Sequence, residues 1–152
     1  MQKSFELHIK KVESLLRGDK KSALNSLVEY LRSNFRAYSW VGVYLLEGDT
    51  LVLNAWSGKK ATEHTKIPIG MGLCGLAART KQTVVVGDVS KDPRYLSCFP
   101  ETKSEIVVPI IDSNGKVLGE IDIDSEELNA FDQSDKRFLE KVAEKLASFL
   151  SS

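Results

Sequence analysis

Cysteine and histidine are scarce in this chain of 152 residues, which has two of each. A structural zinc site needs four soft ligands at close spacing. The widely separated His8 and His64, together with Cys74 and Cys98, do not supply them. We therefore expect no bound metal.

Net charge and long apolar segments are also lacking. The 21 basic and 21 acidic residues cancel and are scattered, so nucleic-acid binding is not expected. No apolar stretch approaches the roughly 18 residues of a membrane-spanning helix, and the N-terminus has no signal-peptide core. We expect a cytoplasmic protein, in which two cysteines are free thiols or transient redox partners. A permanent structural disulfide is the alternative.

Helical periodicity marks both ends of the chain. Apolar residues recur at helical spacing from Phe5 to Arg17, and Gly18 ends the pattern. A second helix is predicted from about Ser22, as its N-cap, to Phe35, and 131–135 opens a last helix. The predicted inward residues are Phe5, Ile9, Val12, Leu15, Leu16, Leu24, Leu27, Val28, Leu31, Phe35, Phe138, Leu139, Val142, Leu146 and Phe149.

Alternating apolar and polar residues predict strands between these helices. The glycines at 70 and 72 mark a turn into a short helix from Cys74 to Thr80, and the segment 88–102 is irregular. We therefore expect one α+β domain, helical over 1–35, with five or six mostly antiparallel strands and a C-terminal helix over 36–152. The predicted strands are 40–45, 50–56, 66–69, 82–86, 105–112 and 117–124, with a hairpin turn at 113–115.

Two thiols and three carboxyl groups stand out against this background. Cys74 precedes a predicted helix, whose N-terminus can stabilise a thiolate. Cys98 lies in the irregular segment, shortly before Glu105. Asp122 and Asp124 alternate on a strand and point to one face. If the strand carrying Glu105 lies alongside, the three acidic groups converge on one cavity and suggest redox chemistry with the thiols.

Each of these residues also has a plain structural interpretation. Cysteine is among the most buried residue types, so Cys74 can be core packing. Asp122 and Asp124 alternate with isoleucines and fit a solvated strand face. Glu105 fits an edge strand on which a charge discourages aggregation.

The same caution applies to the aromatic residues and to histidine. Trp40 and Tyr44 share a strand face by parity and can be core residues. His64, in a polar segment, is interpreted as a surface residue, with a position near the pocket as the alternative. The glycines at 70 and 72 serve a tight turn, and no phosphate-binding loop surrounds them.

Three sequence segments carry a resemblance to a known family. They are WVGVYLL at 40–46, IPIGMGLCG at 67–75 and SEIVVP at 104–109. With the order of elements, they resemble the GAF domain family and, more narrowly, its stand-alone members, the free methionine-(R)-sulfoxide reductases. The resemblance runs from about Asn34 to the C-terminus. It implies a GAF-like fold with the terminal helices on one side of the sheet, and a pocket formed by loops and a short helix on the other.

The resemblance implies roles for the two thiols. Cys98 would attack the sulfoxide, and Cys74 would resolve the oxidised product. Many relatives carry a third, often resolving, cysteine at the position of His64, so this chain is similar to the two-cysteine branch.

It also implies how the substrate is held. Glu105, Asp122 and Asp124 would handle the sulfoxide oxygen and the substrate amine. Trp40 and Tyr44 would wall the pocket and could add cation–π attraction to the amine.

The reduction of a sulfoxide requires thiols and carboxyl groups of this kind. A thiolate attacks sulfur, a protonated carboxyl supplies the proton for oxygen, and a second thiol condenses with the sulfenic acid. An external dithiol such as thioredoxin then resets the disulfide, so no metal or organic cofactor is expected. The amphipathic terminal helices suggest a homodimer. Two other functions fit the sequence: a non-catalytic small-molecule-binding signalling module and a thiol redox sensor.

Overall fold

Over the part of the chain that the structure describes, the fold consists of four α-helices and six strands. The structure, a computed structural model, describes residues 5–97 and 99–152. In chain order the elements are α1 (Phe5–Leu15), α2 (Lys20–Asn34), β1 (Trp40–Glu47), β2 (Thr50–Ser57), β3 (Lys66–Pro68), α3 (Gly72–Thr80), β4 (Val84–Val86), a 3₁₀ turn (Val89–Lys91), β5 (Ser104–Ile111), β6 (Val117–Ser125) and α4 (Gln133–Ser151).

Helices α2 and α4 begin at side-chain caps, whose carboxylates accept hydrogen bonds from free backbone N–H groups of the first turn. The cap of α2 is Asp19, whose carboxylate accepts from the backbone N–H of Ser22 at 2.9 Å, so the prediction of Ser22 as the cap is wrong. Asp132 and Asp135 form a reciprocal capping box at the start of α4. Within residues 5–97 and 99–152, no helix combines the length and hydropathy needed to cross a bilayer.

The strands form one sheet in the order β3-β2-β1-β6-β5-β4, and every neighbouring pair is antiparallel. The predicted α+β class is confirmed, with six strands. The long strands β1 and β6 lie at its centre, and three-residue strands form both edges. The predicted hairpin turn joins β5 to β6, where Gly115 has φ of 81°, a left-handed conformation that favours glycine.

The two faces of the sheet carry separate apolar cores. Residues of α1, α2 and α4 pack on one face, where Leu27, Leu31 and Leu139 are fully buried with Ile106 and Ile121 of the sheet. The short helix α3 covers the other face. This confirms the predicted arrangement. Side chains on the α3 face are Trp40, Tyr44, Leu51, Ile67, Leu73, Cys74, Ala77, Ala78, Val86, Val89, Phe99, Val107 and Val117.

Candidate active site

A row of three buried carboxyl groups lies on strand β6, on the face that α3 covers. Glu120, Asp122 and Asp124 alternate along the strand and are 0%, 3% and 3% exposed. The carboxyl group of Glu105 joins them, because Glu105 pairs directly with Asp124 across β5 and β6. The interpretation of Asp122 and Asp124 as a solvated strand face is therefore wrong. So is the edge-strand interpretation of Glu105, because β5 lies between β6 and β4 and Glu105 is only 6% exposed.

Helix α3 brings Cys74 to these acids. The Cys74 Sγ and one carboxylate oxygen each from Glu105 and Asp122 lie within 4.8 Å of one another. Two glycines allow this approach. Gly72 begins the helix with φ of 66°, and a Cβ on Gly75 would overlap the backbone carbonyl of Ile69.

The buried carboxyl groups have few hydrogen-bond partners. Thr102 Oγ1 donates to Asp124 Oδ2 at 3.3 Å, and Glu105 interacts with both aspartates. Among the described residues, Asp122 Oδ1, Asp124 Oδ1 and both oxygens of Glu120 have no hydrogen-bond partner. An ionised carboxylate buried in this way is costly, so these groups favour the protonated form.

The pKa values shift accordingly. Burial raises the pKa of Asp122, and burial together with the charge of Asp122 raises the pKa of Asp124 well above its usual range. Burial likewise raises the pKa of Glu120 well above that of an exposed glutamate, and the Asp122 charge adds to the effect. Because these groups are crowded together, they cannot all ionise at neutral pH. The site can therefore donate a proton.

The thiol of Cys74 is held in its neutral form. Burial raises the pKa of this thiol well above its usual value, and the charges of Asp122, Glu120 and Glu105 raise it further. The N-terminus of α3 can stabilise a thiolate, whereas burial and the neighbouring acids shift the pKa of this thiol in the opposite direction. A neutral, 5% exposed thiol suits a second-step partner better than an attacking nucleophile.

Glu120 is the part of the site that sequence analysis missed. It has the same strand parity as Asp122 and Asp124, which was the available signal. In the structure it interacts with the Cys74 thiol, without making a hydrogen bond of ordinary geometry.

His64 lies beside the site and is partly buried, which fits the alternative of a position near the pocket. It lines a cavity of about 10 Å³, enough for about one water molecule. Its backbone carbonyl accepts a hydrogen bond from the Tyr44 hydroxyl at 2.7 Å. The lining residues are His64, Ile67, Gly72, Leu73, Cys74, Leu96, Glu105 and Asp122.

A second cavity, of about 40 Å³, opens on the other side of the acidic row beside Trp40. The Trp40 ring stacks on Trp56 at 6.4 Å and contacts Phe99 at 5.8 Å, between centroids. The indole covers Gly42 and Gly58, where any Cβ would overlap it. The cavity is lined by Ser39, Trp40, Lys59, Lys60, Phe99, Glu101, Thr102, Asp124 and Glu126.

The two aromatic residues predicted to wall the pocket therefore differ in whether they line a cavity. Trp40 lines the larger cavity and Tyr44 is fully buried, although both belong to the core on the α3 face. Each cavity holds no more than a few water molecules. An amino acid would have to displace lining side chains to enter, so Tyr44 as a pocket wall stays a prediction.

Two further predictions about the site remain untested. The thiol and carboxylates of Cys74, Glu105 and Asp122 are close enough to share a cation. These three side chains are also among those predicted to act on a substrate. The expectation that the protein binds no metal therefore stays a prediction. Cys98, the predicted attacking thiol, lies outside the described residues.

Comparison with known proteins identifies the family. The model of the GAF domain matches residues 19–150, which is most of the chain. The chain belongs to the GAF domain family.

Within that family, the chain is similar in sequence and structure to a smaller group of proteins. A free methionine-R-sulfoxide reductase of Saccharomyces cerevisiae is 50% identical over 108 residues, 69% of this chain and 59% of the yeast protein. The match thus spans less than two thirds of that relative. The crystal structure of the Neisseria meningitidis free methionine-R-sulfoxide reductase with its substrate is 35% identical, with a TM-score of 0.89 over 99% of this chain and 92% of that one.

A type II free methionine-R-sulfoxide reductase from Thermoplasma acidophilum is 39% identical, with a TM-score of 0.82 over 91% of this chain and 94% of that one. The predicted resemblance is confirmed: the chain groups with the free methionine-R-sulfoxide reductases among GAF domains.

Proposed function

We propose that this protein reduces free methionine-(R)-sulfoxide to methionine, using its two cysteines and an external dithiol. The observation that carries the proposal is the buried row of partly protonated carboxyl groups beside the Cys74 thiol, in a chain similar to reductases of this substrate. A signalling domain that only binds a ligand does not require a proton donor next to a thiol.

The first step requires a nucleophile and an acid. The Cys98 thiolate attacks the sulfoxide sulfur, and the oxygen transfers to Cys98 as a sulfenic acid while the substrate sulfur is reduced to the sulfide. A protonated carboxyl among Glu105, Asp122 and Asp124 supplies the proton that the oxygen takes up. The raised pKa values of Asp122 and Asp124 keep such a proton available at neutral pH.

The second step closes the cycle. The Cys74 thiol displaces the oxygen of the Cys98 sulfenic acid, which leaves as water, and a disulfide joins the two cysteines. A dithiol of the thioredoxin type then reduces that disulfide by exchange. In sum, sulfoxide and dithiol become sulfide, disulfide and water. The cycle needs no metal or organic cofactor.

Selection of the free amino acid fits the charge of the site. The acidic row attracts a substrate ammonium, and the Trp40 ring beside Asp124 offers a cation–π contact to the same group. A methionine sulfoxide residue within a protein chain has no free ammonium at that position.

Turnover by purified protein tests the proposal. The protein is incubated with free methionine-(R)-sulfoxide and dithiothreitol, and methionine is quantified by chromatography. We expect methionine from the native protein, none from Cys98→Ser, and at most one equivalent per chain from Cys74→Ser when the reductant is withheld. Thiol oxidation without methionine release would instead identify a redox sensor. Ligand binding that survives loss of both cysteines, with no turnover, would identify a binding module.

The homodimer also stays a prediction. The apolar stripes of α2 and α4 pack against the chain's own sheet and α1 packs against those two helices, so a second copy would have to use their outer faces or another surface. Sedimentation equilibrium of the purified protein measures the outcome directly.

A further inference from the structure

Glu120 is buried in a way that packing does not explain. Its side chain is fully buried on β6, opposite Tyr44 of β1 and Pro109 of β5. Both carboxyl oxygens lack a hydrogen-bond partner among the described residues. Burial of an unsatisfied carboxyl group destabilises a fold by a few kcal/mol, whereas an apolar side chain here would stabilise it. Such a group calls for a chemical role.

The side chains around Glu120 indicate which chemical role it has. The groups that face it are the Cys74 thiol from α3, Asp122 from the same strand and the ring of Tyr44 from β1. The Tyr44 hydroxyl is engaged by the His64 carbonyl, and Pro109 from β5 has no titratable group. None of these groups is a cation. Glu120 therefore interacts both with a thiol that must lose a proton and with an acidic group that can carry one.

We propose that Glu120 accepts the proton of the Cys74 thiol during the resolving step and passes it toward Asp122. This inference rests on the proposed function. In that step the Cys74 sulfur forms a bond to the Cys98 sulfur, and the sulfur–oxygen bond of the sulfenic acid breaks. The thiol proton moves to Glu120, and the row of acids returns a proton to the departing oxygen, which leaves as water.

The carboxyl group can do this in either protonation state. As a carboxylate it takes the thiol proton directly. As a carboxylic acid it takes that proton on one oxygen while releasing its own from the other, and neither oxygen is held by another hydrogen bond among the described residues. A buried thiol with a raised pKa gives up its proton only to a group in contact with it. Glu120 is thus assigned as a catalytic residue of the second step and not of the first.

A single-turnover experiment without reductant separates the two steps. Native protein, Glu120→Gln, Glu120→Asp and the control Glu13→Gln are mixed with free methionine-(R)-sulfoxide. Glu13 is a suitable control because it is an acid on α1, away from the face of the sheet that carries the site, with a side chain 50% exposed. Released methionine reports the first step. Disulfide formation, followed by mass spectrometry after alkylation, reports the second.

We expect Glu120→Gln to release methionine at the native rate and to form the disulfide about 100-fold more slowly, the usual contribution of a positioned acid–base group. Sulfenic acid then accumulates and is trapped by dimedone. Glu120→Asp recovers part of the second-step rate. The pH dependence of disulfide formation seen in the native protein is flattened in Glu120→Gln, which a purely structural defect would not cause.

A second arm makes the test independent of the substrate. Hydrogen peroxide converts Cys98 to a sulfenic acid directly, and disulfide closure is then followed in the same variants. If only this arm works, the proposed substrate is wrong while the role of Glu120 is still tested. Native-rate closure in Glu120→Gln, an equal loss in both steps, or no closure in the native protein in either arm would each overturn the inference.

Discussion

The buried state of Glu120 predicts an unusual pH dependence of folding stability. In the unfolded chain a glutamate loses its proton near pH 4.3, whereas burial raises the pKa of Glu120 in the folded protein well above that value. Between the two pKa values the folded state holds one more proton than the unfolded state. The free energy of unfolding therefore falls as pH rises through that window, by about 1.4 kcal/mol per pH unit for this group.

Replacing Glu120 with glutamine removes that dependence. Near pH 4 the variant should be less stable than the native protein by about 1–3 kcal/mol, because the buried amide brings donors without partners. As the pH rises above about 5, the difference should move in favour of the variant by about 1.4 kcal/mol per pH unit for as long as the native group stays protonated in the folded protein. The two stability curves should therefore approach each other or cross.

Urea denaturation at intervals across this pH range measures the difference. The control Glu13→Gln, at an exposed position on α1, should run parallel to the native protein. Parallel curves for Glu120→Gln as well would refute the reasoning, because they would mean that Glu120 ionises in the folded protein as it does in the unfolded chain.

Three further substitutions test the packing that positions the site. Gly42→Ala should cost about 1–3 kcal/mol by overpacking and should alter the fluorescence of Trp40, because the new Cβ would overlap its indole ring. An unchanged spectrum and melting temperature would contradict this. Tyr38→Phe should cost about 1–3 kcal/mol in urea denaturation, since the hydroxyl donates to Asp135 at 2.7 Å in a buried position. Phe138→Ala should cost about 3–5 kcal/mol, measured in the same way, and a loss below about 1 kcal/mol would show that the site collapses without a cavity.

Periodicity predicted the helices and strands well, because tertiary packing reinforces the same pattern. Leu24, Leu27 and Leu31 are buried as the helical spacing required. The ends of elements were less predictable. Asp19 and Ser22 are both good capping residues, and the sequence alone does not say which of them adopts the extended backbone of a cap.

The candidate site was only partly predictable, for two physical reasons. Strand parity placed Asp122 and Asp124 together, but the pairing of Glu105 with Asp124 depends on the register between β5 and β6. Glu120 was missed as a site residue because burial is a property of the assembled fold. The same limit applies to Cys74, because the pKa of its thiol is raised first by burial and then by acids distant in sequence.

The two short edge strands have a consequence for how the protein behaves in concentrated solution. The edges β3 and β4 each offer only three residues of unpaired backbone, and β3 contains Lys66 and Pro68. Proline lacks a backbone N–H donor and the lysine side chain resists desolvation. Another protein molecule can therefore form few backbone hydrogen bonds with this edge. The long apolar strands lie inside the sheet, where their backbone groups are already paired. The folded protein should therefore resist amyloid-like polymerisation.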